Sequence, residues 1–402
     1  MNEPSIWQKK KASLDQAFSP SSPILAKDFF SGRLSQIDEV VDSINERGQH
    51  VIVYGERGVG KTSFANIIGS DLYGVIPIKI TCNRSDSFRG IWEKAFAKVR
   101  FEKSKNGIGY IPNKRIEEYQ LDLFLPEDKD ISSLDVQQVL ENLDSNLLFI
   151  FDEYDSIIDV EVLARMADTL KALSDNAPNV TIMLVGIAEN VEGLIGSHPS
   201  TERCLRQVRM PKMSDEEVDA IIHRGLAHLQ FSMAKNVRYQ IVKMALGFPH
   251  FAHLLAKQAC RAAVEDEQDH VGKEQYARGL QSSLERVDQS IRSSYQQATQ
   301  SVNDKAHFET VLWACAEAPL DEVNTFSTRD VANEFSMIVK KLVKPQSLSY
   351  KIGKLCSTDR QKILERVKTG SLIRFRFRNP LFRVFVKMKY ESLIGRSDKG
   401  VR

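Results

Sequence analysis

No apolar stretch in this sequence approaches the roughly 20 residues that a membrane helix needs, so no membrane partner is expected. The first residues, through Trp7 and Lys11, lack the apolar core of a secretory signal. Cysteine is scarce. Cys82, Cys204, Cys260, Cys315 and Cys356 lie far apart and form no CxxC pair. The expectation is free, mostly buried thiols in a reducing, cytoplasmic setting rather than a disulfide framework. There is no long internal repeat and no low-complexity tract.

What is present fits a globular protein of two or three domains: 402 residues, 42% of them hydrophobic. The net charge of +2 hides a split. From Glu334 to Arg402 there are 18 Lys/Arg against 5 Asp/Glu, which leaves 37 against 48 in the rest. A basic C-terminal segment on an acidic body implies a polyanion partner, or docking onto the body itself.

The pattern along the chain predicts five segments. Residues 1–28 are polar, with a small basic cluster at Lys9-Lys10-Lys11, and read as a flexible tail. In 29–209 apolar β-type runs (51–54, 76–81, 147–151, 180–185) alternate with helical stretches, which implies a parallel sheet covered by helices. One such stretch carries Leu163, Met166, Leu170 and Leu173 on one face. Residues 101–135, with Gly107, Gly109, Pro112 and Pro126, read as an irregular surface insertion. From the capping box Ser214-Asp215-Glu216-Glu217 onward strand signals vanish, so 210–300 reads as an all-α lid. Three helical patterns and two β-type segments (362–367, 371–377) make 304–392 a winged helix-turn-helix, with 393–402 as a tail.

Gly55-Glu56-Arg57-Gly58-Val59-Gly60-Lys61-Thr62 fits the P-loop pattern GxxxxGK(S/T), with a strand before it and Ser63 opening a helix after it. Glycines let backbone amides converge on phosphate oxygens, and the helix N-terminus adds a favourable dipole. Lys61 is expected on the β/γ-phosphates and Thr62 on Mg²⁺. About ninety residues on, five apolar residues end in Asp152-Glu153. Asp152 is placed to hold the Mg²⁺ shell, and Glu153 to orient and deprotonate an attacking water.

These motifs, in the order P-loop, Asp-Glu, helical domain, winged helix, resemble AAA+ ATPases of the origin-recognition/initiator type. They also resemble the STAND class of regulatory NTPases. The resemblance covers about 29–390. It implies ATP with Mg²⁺ as the ligand and an α/β P-loop NTPase (AAA+) domain with an all-α lid and a C-terminal winged helix. Phe30-Ser31-Gly32-Arg33 resembles a nucleotide-contact segment of the initiators, which implies a cofactor role for Arg33. Gly247-Phe248-Pro249 resembles the GxP motif of STAND proteins, which implies contact by Pro249 and the following His250. The initiators place an Arg near that position, so His250 implies weaker, pH-sensitive phosphate contact and slow turnover. Either Glu189 or Asn190 stands where the initiators carry a polar sensor. Arg203 or Arg206 could be an arginine finger acting on a neighbouring copy's ATP, with Arg203 preferred, so a homo-oligomer is expected in the ATP state.

Arg374-Phe375-Arg376-Phe377-Arg378 alternates strictly, which puts aromatics inward and arginines outward on a strand. Lys351 and Lys354, near Tyr350, are expected on the exposed side of the third helix. A recognition helix beside a basic wing suits duplex DNA. Arg383, Lys387 and Lys389 would extend the patch. The alternative is a STAND-like NTPase that gates a partner effector protein in a prokaryotic defence or signalling system, its winged helix serving only to dock. A metabolic kinase is disfavoured, since no acceptor pocket is evident.

Overall fold

In the computed structural model, described over residues 5–20, 32–71, 74–105, 115–127, 130–188, 191, 194, 201, 203–300, 307–321, 323–369 and 372–397, the alternating region becomes one parallel sheet. In chain order the first elements are α1 (Ile6–Ala17), α2 (Leu34–Asn45), β1 (His50–Gly55), α3 (Lys61–Asp71), β2 (Ile76–Thr81), α4 (Phe88–Phe96), β3 (Arg100–Lys105), β4 (Arg115–Gln120), α5 (Ser133–Leu140), β5 (Leu147–Asp152), α6 (Val160–Asn176), β6 (Val180–Ile187) and β7 (Leu205–Arg209). The sheet runs β2-β5-β6-β1-β7, all parallel. β5 is buried along its whole length, as a central strand covered on both faces must be. On one side of it Trp92 meets Phe149 and Phe151 edge-on at 5.5 and 5.4 Å, and Phe96 packs tilted against Trp92 and Phe149 at 5.2 and 6.0 Å. The face expected on α6 is the one buried, through Met166, Leu170 and Leu173.

The 101–135 insertion is not irregular throughout. β3 and β4 pair antiparallel from Arg100↔Gln120 to Lys105↔Arg115, and α5 starts at Ser133 behind a Ser132/Asp135 capping box. The glycines and the proline that suggested irregularity at 107, 109 and 112 lie outside the described residues.

A second unit comprises residues 1–21 and 213–402; the α/β unit is 22–212. The second unit continues with α7 (Asp215–Leu229), β8 (Ser232–Met233), α8 (Lys235–Ala245), α9 (Pro249–Glu265), β9 (His270–Val271), α10 (Lys273–Arg286), α11 (Gln289–Thr299), α12 (Phe308–Glu317), α13 (Thr328–Val339), α14 (Pro345–Leu355), β10 (Leu364–Thr369), β11 (Leu372–Phe377) and α15 (Pro380–Ser397). The Ser214/Glu217 capping box forms as expected. Helices α12 to α14 and the hairpin β10–β11 follow the winged-helix order. Phe326 adds a third short strand by exchanging two 2.8 Å backbone hydrogen bonds with Phe375. The lid and winged helix group as one unit, where the sequence separates them at about residue 300. The expected C-terminal tail is helical as far as Ser397.

The N-terminal reading needs the larger correction. Over residues 6–17 the expected tail is a helix, opened by a Ser5/Gln8 capping box. It packs on α7 and α9. Leu14 and Phe18 are fully buried. A Cβ on Gly225 would lie 2.2 Å from the Phe18 ring, so the ring fills the notch that glycine leaves. Phe18 also meets His253 edge-on, Asp15 pairs with Lys257, and the Lys10 ammonium sits 4.5 Å from the centre of the Phe231 ring. Ser5-Ile6-Trp7-Gln8 was a legible cap signature, outweighed by the polar composition around it.

Candidate nucleotide site

Because the strands are parallel, β1 and β5 present their C-terminal ends on one edge of the sheet, with β6 between them. Ligands of open α/β sheets bind at that edge. After β1 the chain must turn into α3 in five residues, and glycine makes the turn possible. Gly58 and Gly60 take φ of 86° and 97°, which side chains rarely adopt. At Gly55 the constraint is space: a Cβ would stand 2.4 Å from the Met210 carbonyl oxygen. Val59 is buried beneath the loop, and Ser63 lies in the first turn of α3.

Lys61 is 8% exposed. Its ammonium donates to the carbonyls of Gly55 (2.9 Å) and Glu56 (2.8 Å), so it bridges its own loop. Burial pushes Lys61 down to about 8, against the opposing pull of Asp155, Asp152 and Glu56. The Thr62 hydroxyl donates to Asp152 Oδ1 at 3.3 Å. Hard oxygen donors are what Mg²⁺ takes, and adjacent ligands in its octahedral shell lie about 3 Å apart. Thr62 and Asp152 therefore fit the metal that the motifs imply.

Glu153 caps the end of β5 with φ 56°, ψ 34°, a left-handed conformation costly for a non-glycine residue. Its N–H donates to Asp152 Oδ1 (3.0 Å), and the residue is exposed. Strain of this kind gathers at functional sites. Arg33 is 3% exposed and follows Gly32, both residues at positive φ. Its guanidinium donates to the Val59 carbonyl (3.3 Å) and the Pro211 carbonyl (2.5 Å), so it braces the P-loop from behind. Phe30 and Ser31 of the same segment lie outside the described residues, as do Glu189, Asn190 and 198–200.

Three participants were missed in the sequence. Lys79 of β2 places its ammonium 2.9 Å from Asp152 Oδ2 and 2.5 Å from Asn66 Oδ1. Asn66 lies one turn beyond Thr62 on α3. Asp155 accepts the Ile187 N–H at 2.8 Å, tying the end of β6 to the turn after β5. A lysine interrupting the apolar run Ile78-Lys79-Ile80 was the available signal for the first.

Arg203 is an exposed surface residue, its guanidinium 3.0 Å from Asp175. Arg206 on β7 lies 3.9 Å from Glu46. Pro249 occupies the first turn of α9. The His250 Nδ1 meets the Pro20 carbonyl oxygen at 2.7 Å, so that nitrogen carries the proton. Burial lowers the His250 pKa, and the Pro20 contact opposes the shift.

The wing is less free than its alternation implied. Phe375 and Phe377 point inward as expected. Arg374, however, donates to Thr325 Oγ1 (2.6 Å) and carbonyl (3.0 Å) and lies 2.7 Å from Asp321, with its side chain 22% exposed. Arg376 pairs with Glu365, the residue opposite it on β10. Lys354 pairs with Asp359 at 3.2 Å. Arg383 is committed to the Ala316 and Ala318 carbonyls (2.8 Å each), and Lys387 to Glu317 (2.7 Å). Of the expected duplex contacts, Lys351 and Arg378 carry no ion pair among the described residues. Arg378 joins Lys362 and Arg366 around a cavity of about 510 Å³ between the end of α14 and the hairpin.

Among the described residues no helix is long and apolar enough to cross a membrane. Residues 44–195 match the family described as AAA domain. A Walker-type ATPase of Pyrococcus abyssi, PABY2304, is similar at 14% identity and a TM-score of 0.51, over 91% of this chain and 99% of that one. The ORC2 protein of Aeropyrum pernix (ADPNP–ADP complexes) is similar at 14% identity and 0.49, over 93% and 98%. The ORC1 protein of Aeropyrum pernix in complex with DNA is similar at 15% identity and 0.44, over 91% and 94%. No curated protein matches the sequence. At 14% identity the likeness to the Pyrococcus abyssi ATPase speaks to the fold alone. With the matched AAA domain, the architecture is an α/β P-loop AAA+ domain with a helical lid and a winged helix.

Proposed function

We propose that this chain is a Mg·ATP-binding and hydrolysing switch whose nucleotide state governs assembly and duplex DNA binding. The observation that carries the nucleotide reading is the junction of Thr62 with Asp152 beside a buried Lys61 and an exposed, strained Glu153. Backbone amides of 58–62 and the start of α3 favour an anion. Lys61 would exchange its two loop carbonyls for phosphate oxygens. Bound at Thr62 and Asp152, the metal would supply charge neutralisation of the triphosphate. Glu153 would orient a water toward the terminal phosphorus and take its proton as the new P–O bond forms and the bond to the ADP oxygen breaks. Arg203, exposed and in a surface pair with Asp175, is the candidate to act on a second copy's nucleotide. Pro249 and His250 are the candidates to report nucleotide state to the lid.

On the winged helix, Lys351, Lys362, Arg366 and Arg378 suit phosphate contact better than Arg374 and Arg376, which are already paired. That pairing also favours a second reading, a STAND-like NTPase in which the winged helix docks on protein and an effector is the output.

The nucleotide reading is tested by two variants. Lys61→Ala should abolish Mg·ATP binding. Glu153→Gln should bind ATP yet release no phosphate; normal release would overturn the assignment of Glu153. Duplex binding should fall steeply with salt as counterions are released. Binding that is absent with and without ATP would leave the effector reading.

A further inference from the structure

Lys79 forms a contact at the metal-binding carboxylate that the proposed chemistry does not require. β2 is the edge strand next to β5, in a register that pairs Thr81 with Asp152. Along β2, Ile78 and Ile80 are buried, so Lys79 between them projects from the opposite face, the side of Asn66 on α3. Its ammonium lies between the Asn66 amide oxygen and Asp152 Oδ2, at 2.5 and 2.9 Å. Both oxygens of Asp152 are thereby taken: Oδ1 by the Thr62 hydroxyl and the Glu153 N–H, Oδ2 by Lys79. The carboxylate is 4% exposed and the lysine 26%, so water screens the pair only partly.

Metal-binding carboxylates are ordinarily oriented by outer-shell hydrogen bonds. A neutral donor does this without opposing the metal's charge. An ammonium both orients the carboxylate and repels a divalent cation placed on it.

We propose that Lys79 is an internal counter-cation of Asp152 that competes with the metal, giving the nucleotide site a raised metal requirement. This rests on the nucleotide reading above. In the resting chain Lys79 neutralises Asp152, and Asn66 holds the ammonium in place. Metal must then enter against a fixed positive charge, which a triphosphate arriving with its cation can offset.

The test is the Mg²⁺ concentration for half-maximal binding of ATP, measured by calorimetry, with Mn²⁺ titrations of the ATP-loaded protein followed by electron paramagnetic resonance. Lys79→Met keeps the stem and removes the charge; with the repulsion relieved, it should lower the metal requirement about tenfold. Lys79→Arg keeps the charge and should stay within about threefold of the parent. ATP affinity in EDTA, with no metal for the ammonium to oppose, should not rise with either. In an Asp152→Asn background Lys79→Met should have no effect. If Lys79→Met fails to fold, Lys79→Gln carries the same expectation. A metal requirement that is unchanged or raised on removing the charge overturns the proposal and leaves the nucleotide reading standing. If the parent binds no ATP at any metal concentration, both fall.

Discussion

At the scale of single residues, the nucleotide site holds more conflict than its motif implies. Glu153 sits in a left-handed backbone conformation that glycine would adopt without cost. Glu153→Gly should therefore abolish phosphate release while leaving unfolding stability unchanged or raised by up to about 1 kcal/mol. Parallel assays of hydrolysis and urea unfolding would check this. A fall in stability would mean that the side chain is structural. His50 gives a pH signature to the same unit. It is fully buried: Nδ1 accepts the Ile182 N–H at 3.1 Å, and the protonated Nε2 donates to the Leu170 carbonyl at 2.8 Å. Burial lowers His50 to about 4, with the Leu170 contact opposing. Below its ordinary value of 6.5 the unfolded chain takes up a proton that the fold refuses. The stability it contributes is present above pH 6.5 and is lost as pH falls toward 4, by at most roughly 3 kcal/mol. Urea midpoints between pH 7 and 4, with the His50 ring followed by NMR, would show it. The sequence announced the phosphate loop because glycine and lysine at fixed spacing have few other uses. It concealed Lys79 and Asn66, whose meaning depends on which strand lies beside β5.

Elements obey the same division. Helices with clear apolar faces and caps, such as α6 and α7, were legible; α1 was not. Its surroundings are polar and its buried residues are few, and what fixes it is a fit to distant Gly225. Gly225→Ala should drive Phe18 from its notch and destabilise the helical unit by about 1–3 kcal/mol, read as a lower melting transition. Phe18→Ala should remove the clash, so that the double variant is no worse than Phe18→Ala alone. The wing shows why strand alternation cannot say whether an outward charge is free. Arg374 faces out from β11 but finds Asp321, which lies 53 residues earlier in the chain. Arg374→Met should lower the melting point of the helical unit and change duplex affinity less than threefold, while Arg366→Met should do the reverse. Equal loss of affinity in both would return Arg374 to the contact surface.

For the whole molecule, the layout of sheet, lid and winged helix was legible from the order of periodicities, because period-two and period-3.6 patterns occupy separate stretches. Which segments share a unit was not, since that depends on long-range packing. Assembly also belongs to this scale. With Arg203 exposed, Arg203→Ala should leave ATP binding by the single chain unchanged and remove any rise in turnover with protein concentration, a rise worth about 10³ where such a residue operates. Native mass with and without ATP and duplex DNA, beside turnover at several concentrations, would check it. Turnover independent of concentration in the parent would exclude a finger.

The first and last described helices, α1 and α15, belong to one body, because α1 is captive among α7 and α9 while the α/β unit is spliced between. A molecule stretched by handles attached at those two helices in an optical trap would carry no tension through the nucleotide-binding half until α1 tore away. The force trace should open with a short rip as α1 leaves, and ATP should leave the strength of that first rip unaltered.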